Sequence, residues 1–214
     1  MNKKVLIIST SPRKGGNSDT LAEEFASGAR EAGHEVEKIG LWNKTIGFCR
    51  GCLACQKTGR CVIHDDADIV AQKMLTADVI VFATPIYYYE MSGQMKTMLD
   101  RGNPLYSSDY AFREIYLLAA AADTDESAMD GAIKGLEGWI ACFGKAQLSG
   151  TVFGGGADAI GTIKGNPALS KAHEMGKAVE VPFEEGKIWS IIKTKKYEFV
   201  IWYRVMDKLL LVRK

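Results

Sequence analysis

The chain has 214 residues, 47% of them hydrophobic and 25% charged, which is enough for one domain with its own core and requires neither disulfide nor metal to fold. Lys plus Arg (27) against Asp plus Glu (26) leaves a net charge of +1, so no broad field exists to collect nucleic acid or an anionic membrane. No run approaches the roughly 18 uninterrupted apolar residues of a membrane span, and the start, MNKKVLIISTSPRKGG, turns polar and Gly-rich too soon for a signal peptide. Four of the five cysteines fall between Cys49 and Cys61, unlike the spread-out framework of a secreted domain, and a reducing, cytoplasmic setting is expected.

Val5 to Ile8 is a short β-branched run ended by the Ser/Pro/Gly-rich stretch Ser9 to Gly16. Leu21, Ala22, Phe25 and Ala29 then recur at helical spacing. Ser18 is expected as N-cap with Asp19 in the first turn, and Gly33 as the stop. A strand at Val36 to Ile39, the cysteine-rich loop and a helix from Asp68 to Leu75 follow, with Asp65 and Asp66 read as the start of that helix. The fully apolar Val79 to Ala83 belongs inside a parallel sheet. The alternation continues with a helix at Ser92 to Leu99, a strand at Ile115 to Ala121, a helix at Glu126 to Phe143, a strand at Leu148 to Phe153 and a helix at Pro167 to Val179.

Five β-α units in series predict an α/β fold, a doubly wound five-stranded parallel sheet of flavodoxin-like order 2-1-3-4-5. This domain is expected over 1–181. Residues 182–214 hold eight Lys/Arg against four Asp/Glu, with Trp189, Ile191, Ile192, Phe199, Ile201, Trp202, Leu209, Leu210 and Leu211. They read as a C-terminal arm covering the parent domain or a subunit interface of a homo-oligomer, with contact to a membrane surface as the sharper alternative.

In open α/β sheets ligands sit at the carboxyl ends of strands near the point where strand order reverses. The first such loop opens a helix, whose free N–H groups and dipole suit a phosphate. Ser9, Ser11, Asn17 and Ser18 add side-chain donors, Arg13 a guanidinium fork, and Gly15 and Gly16 close backbone approach. The loop matches neither the nucleotide-hydrolase loop nor the dinucleotide fingerprint. After the third strand, Tyr87, Tyr88 and Tyr89 cannot all face the core, since successive residues point different ways. Some face a ligand or a partner subunit.

SPRKGGNS after the first strand, taken with PIYYYEMSGQMK after the third, resembles the NADPH-dependent FMN reductase family of flavodoxin-like proteins. FCRGCLACQKTGRCVIHDD between them is similar to the iron-sulfur flavoproteins. The resemblance covers about residues 1 to 180. It implies FMN phosphate at Ser9, Ser11, Arg13, Gly16, Asn17 and Ser18, and an isoalloxazine against Pro85, Ile86, Tyr87 and Tyr88. It also implies a Gly-rich turn after the fifth strand at Gly154 and Gly155, with Asp123 and Thr124 as candidates for the flavin edge.

Cys49, Cys52, Cys55 and Cys61 form C-x2-C-x2-C-x5-C. The first three reproduce the compact ligand run of bacterial ferredoxins, whereas the fourth spacing is longer and Val62 stands where those proteins have Pro. A 4Fe-4S cluster, a zinc ion and reduced or disulfide-paired cysteines all remain open. A contiguous run is not the usual pair of separated C-x2-C motifs that binds zinc. Cys142 reads as buried in the fourth helix, and His34, His64 and His173 as surface residues with no catalytic dyad.

The function so implied is an FMN-dependent NAD(P)H oxidoreductase. It would pass electrons to a quinone, flavin, nitroaromatic or carrier-protein acceptor. Tyr87, Tyr88 and Tyr89 would shape the pocket, and chemistry would reside in the cofactor rather than in catalytic side chains. The rival is a non-catalytic electron carrier of the flavodoxin type. Neither nucleic acid nor a membrane is an expected partner.

Overall fold

The computed structural model describes residues 2–179 and, beyond them, the short strands Tyr203–Val205 and Lys208–Leu210. The chain divides into a unit covering Asn2–Val181 and a second covering Pro182–Lys214. In the second, the two strands just named pair antiparallel. The remaining apolar residues expected to form a covering arm lie outside the described residues.

Within the first unit, β1 (Lys4–Ser9), β2 (Glu35–Gly40), β3 (Val79–Tyr87), β5 (Glu114–Ala120) and β6 (Gln147–Gly154) form a parallel sheet in the order β2-β1-β3-β5-β6. This is the expected order. It carries one addition, the two-residue strand β4 (Glu90–Met91), which turns back antiparallel on the end of β3. The register places Ile7 beside Val81, Phe82 beside Leu117 and Leu118 beside Val152.

Side chains alternate across each strand, so one face of the central strands presents Leu6, Ile8, Ile80, Phe82, Ile115 and Leu117. The other presents Val5, Ile7, Val79, Val81 and Leu118. The first face is covered by α3 (Asp66–Thr76), α4 (Gly93–Arg101) and α5 (Asp130–Ile140). The second is covered by α1 (Asn17–Glu31) and α6 (Pro167–Lys177). Each fully buried aliphatic or aromatic side chain contributes about 1.5–3 kcal/mol, and none of the central strands could bear exposure on either face.

The two outer helices meet through glycines. A Cβ built on Gly28 would lie 2.0 Å from the His173 carbonyl oxygen, and one on Gly176 would lie 2.1 Å from that of Phe25. Below α5, Tyr110, Phe112, Trp139 and Phe143 stack and tilt against one another with ring centroids 4.5–6.1 Å apart.

Several local expectations change. Gly16, not Ser18, precedes the first turn of α1, because Asn17 is already helical. The helix expected over Glu126 to Phe143 is a 3-10 turn (Glu126–Met129) followed by α5, which ends at Ile140, so Cys142 is exposed in the following turn. His34 is buried: its Nδ1 accepts from the Lys3 backbone N–H, which leaves Nε2 to donate to the Val179 carbonyl. Asp65 caps α3 as expected, accepting from the Ala67 N–H. Among the described residues no helix is long and apolar enough to cross a membrane.

Candidate functional site

The strand order reverses between β1 and β3, and the loops leaving their carboxyl ends lie side by side. A buried hydroxyl network joins them. Thr10 Oγ1 donates to the Ala83 carbonyl at 3.0 Å and lies 3.0 Å from Ser92 Oγ. The Ser92 N–H donates to Thr84 Oγ1 at 3.0 Å, and Ser92 Oγ caps α4 by accepting from the Met95 N–H. All three residues are completely buried, so this network fixes the two loops relative to each other. Nothing in the sequence singled it out, because three separated hydroxyl residues carry no pattern.

The first loop folds on itself. Ser11 Oγ accepts from the Arg13 N–H and donates to the Arg13 carbonyl, and a Cβ on Gly16 would come within 2.5 Å of Ser11 Oγ. No side chain caps α1, whose first intrahelical bond runs from the Thr20 N–H to the Gly16 carbonyl. The Asn17, Ser18 and Asp19 N–H groups therefore point outward without helical acceptors. The Ser18 hydroxyl beside them is buried and makes no hydrogen bond.

Arg13 is exposed at the mouth, its guanidinium 3.5 Å from the Asp158 carbonyl. Asn17 differs from expectation in how its side chain is used. The carboxamide donates to the Ala159 carbonyl at 2.8 Å and accepts from the N–H groups of Gly161 and Ile163, tying the loop after β6 to the loop after β1.

Asp19 is buried in the same turn, and burial pushes its carboxyl up. Lys38 at 2.8 Å and the Gly15 N–H at 3.0 Å more than offset this and leave it below the ordinary carboxylate range. Lys38 is likewise held above its ordinary value: burial opposes its charge, and Asp19 and Glu23 restore it.

The third strand runs to Tyr87, four residues beyond the expected end. Thr84 and Pro85 pair with Ala119 and Ala120, and Ile86 and Tyr87 with β4. Tyr88 and Tyr89 are then the two central residues of a tight hairpin, with φ of 51° and 63°. A two-residue turn of this kind normally takes Asn and Gly, and aromatic residues there carry strain of the sort that collects at functional sites. The tip stands out from the surface, with Tyr88 fully exposed. Its seat is made by helix glycines: a Cβ on Gly131 would lie 2.4 Å from the Tyr89 carbonyl oxygen.

The Tyr89 hydroxyl reaches Asp123 Oδ2 at 3.3 Å. The Asp123 carbonyl accepts from the Gly156 N–H, and a Cβ on Gly155 would meet that carbonyl at 2.8 Å and Thr124 Cα at 3.0 Å. A Cβ on Gly154 would press on Ile163 at 2.8 Å. Asp123, Thr124, Gly154 and Gly155 thus meet beside the tyrosine hairpin at the same edge of the sheet.

The four clustered cysteines line one small cleft together with Arg50, Asp100, Arg101 and Asn103. Leu53, Gly51 and Gly59 all take positive φ as the loop wraps. Cys55 is buried at the start of the single turn α2 (Cys55–Thr58), where its thiol accepts from Asn103 Nδ2 at 3.3 Å. Cys49 and Cys52 are exposed and Cys61 is half-buried. Burial pushes the Cys55 thiol up, and charge on Cys61 and Cys52 would push it further. Among the described residues no group of three or more His, Cys, Asp or Glu side chains is arranged to hold a metal ion.

This sheet order, with the uncapped α1 following the first strand and an aromatic hairpin after β3, is that of a flavodoxin-like fold. The chain belongs to the NADPH-dependent FMN reductase family, whose pattern it matches over residues 3–157. It is 41% identical over 102 residues to an iron-sulfur flavoprotein of Methanocaldococcus jannaschii, a match covering 48% of this chain and 53% of that one. An iron-sulfur flavoprotein of Methanosarcina thermophila is 28% identical over 166 residues, 77% of this chain and 84% of the relative. The match thus spans about half the length of the first relative and most of the second. In structure, the chain resembles the NAD(P)H:quinone oxidoreductase of Methanothermobacter marburgensis with a TM-score of 0.65, at 17% identity, covering 86% of this chain and 98% of that one. At that identity the likeness is one of fold.

Proposed function

We propose that the chain is an FMN-dependent NAD(P)H oxidoreductase. The observation that carries this reading is the uncapped N-terminus of α1, where N–H groups without helical acceptors lie beside the buried, unbonded Ser18 hydroxyl. A terminal phosphate supplies the acceptors these donors lack. Arg13 closes over it from the rim, and Gly16 keeps the backbone near enough for contact. Pro85, Ile86, Tyr87 and Tyr88 form one wall for the ring system, and Asp123, Thr124 and Gly155 its edge. Bound FMN supplies hydride acceptance from a nicotinamide and onward delivery to an acceptor. The protein's part is to place donor and acceptor in turn against one face and to exclude water. The exposed Tyr87 and Tyr88 rings offer aromatic surface to a flat acceptor such as a quinone.

Cys49, Cys52, Cys55 and Cys61 are the residues that would hold a 4Fe-4S cluster, which supplies one-electron transfer when bound. Four thiols lining one cleft are the donor set such a cluster takes, although they are not gathered into a metal-holding arrangement in this structure. The test is an anaerobic titration of FMN-loaded protein. NAD(P)H is expected to bleach the flavin within seconds and a quinone to restore its colour. A flavin that takes electrons only from a reductase protein would make the chain a carrier instead.

A further inference from the structure

Arg101, the last residue of α4, is 1% exposed and sits at the root of the cysteine loop rather than among its ligands. Its Nη1 donates to the Gly47 carbonyl at 2.7 Å and to Asp65 Oδ2 at 2.8 Å. Its Nη2 donates to the Ile63 carbonyl at 3.0 Å and to Asp65 Oδ1 at 2.8 Å. Gly47 lies two residues before Cys49 and Ile63 two after Cys61, so one guanidinium grips both ends of the loop. Asp65 completes the clasp, since its Oδ2 also accepts from the Gly47 N–H at 2.8 Å.

Between these anchors the loop has little of its own to hold it. Apart from the single turn α2 and a hydroxyl of Thr58, the bonds that tie it to the domain are Asn103 to Cys55, Arg60 to Asp68 and Gln72 to the Gly59 carbonyl. A fully buried arginine is costly to desolvate, and an apolar side chain of similar volume would often stabilise a core more. Its bidentate pairing with Asp65 and its two carbonyl contacts use a planar fork that lysine cannot supply.

We infer that Arg101 is a positioning residue. It closes the cysteine loop at its root, so that four thiols are held on one cleft before any iron arrives. The inference rests on the reading of that loop as an iron-sulfur site, and two independent measurements separate the clasp from the cluster.

The first uses the exposed residues Arg50, Lys57 and Arg60 as trypsin sites within the loop. In protein without metal, Arg101→Gln and Arg101→Lys are expected to be cut there at least ~10-fold faster than the wild type, because cleavage follows the population of the opened loop. The second is iron and sulfide content after anaerobic reconstitution with ferrous iron and sulfide, with the visible spectrum recorded alongside. Wild type is expected to take up about four irons per chain and both variants fewer than about one.

FMN affinity, which depends on other loops, serves as the folding control. Folded variants that are cut at the wild-type rate and load iron fully would overturn the inference. Wild type that takes no iron would remove the cluster reading, and the trypsin rates would still decide the clasp. If the Gln variant fails to fold, the Lys variant decides. If both fail, Arg101 supports the whole domain and the loop-specific role is rejected.

Discussion

At the scale of single residues, the first loop separates groups that shape the site from groups free to meet a ligand. Ser11 and Asn17 have their side chains occupied within the protein, whereas the Ser18 hydroxyl has no partner and Arg13 makes only a long contact, 3.5 Å to the Asp158 carbonyl, at the mouth. Arg13→Ala is therefore expected to weaken FMN binding by about 1.5–3 kcal/mol, the range for losing a hydrogen bond to a charged group. Quenching of FMN fluorescence on binding measures it, and an unchanged affinity would remove Arg13 from the site.

Asp19 belongs to the scaffold under this loop. Its folded-state value is lowered, so its pairing with Lys38 stabilises the protein above the unfolded value of about 3.9, and that gain disappears as pH falls through the folded value. Lys38, held above its ordinary value, keeps the pair intact upward until pH rises through its own folded value. Asp19→Asn is thus expected to be less stable than wild type in urea at neutral pH and to converge with it in strong acid. A gap that persists there would assign the loss to packing. The sequence suggested Asp19 only as a first-turn acid. Its partner Lys38 comes from a neighbouring strand, and no local pattern announces such a pairing.

At the scale of elements, the sheet was legible because both of its periods are plain. Val79 to Ala83 is apolar on successive residues as only a doubly covered strand is, and α1 repeats its buried face every three or four. The hairpin at Tyr88 and Tyr89 was not legible, since its residues contradict the turn they form. Gly131 gave the only hint, a glycine inside a helix where the tyrosine carbonyl comes to rest.

Gly28 and Gly176 are a second such case, and they support a prediction. Alanine in a helix interior is intrinsically better than glycine by about 1 kcal/mol. At Gly28 its methyl would lie 2.0 Å from a backbone oxygen of α6, which a main chain cannot evade by changing rotamer. Overpacking of this kind costs roughly 1–3 kcal/mol or more, so packing wins and Gly28→Ala is expected to lower the midpoint of thermal unfolding. A raised midpoint would show that the two helices can move apart freely.

For the whole molecule, the described residues 2–179 supply a core cluster to each face of the sheet. A chain ending at Val181 is accordingly expected to unfold cooperatively near the wild-type midpoint and to bind FMN. The arm's apolar residues are proposed to cover an interface between copies, in which case truncation lowers the oligomeric mass measured by light scattering. A truncated chain of unchanged mass would exclude that role. The phosphate loop and hairpin come from chain positions far apart, and α/β topology alone brings them together. For that reason the sequence located them, while their mutual seat through Thr10, Thr84 and Ser92 appeared only in three dimensions.

The carboxamide of Asn17 gives this arrangement a reporter. The Gly161 and Ile163 amide protons end on an oxygen that belongs to the phosphate cradle, about 145 residues away in sequence. Those two amides should therefore exchange with deuterated solvent at a rate set by how often the cradle opens. FMN is expected to slow their exchange in proportion to its concentration over its dissociation constant, while the Gln147 amide, bonded to the Arg113 carbonyl at the opposite end of the sheet, stays unaffected. Occupancy of the site would then be readable from a loop on which the phosphate itself never needs to rest.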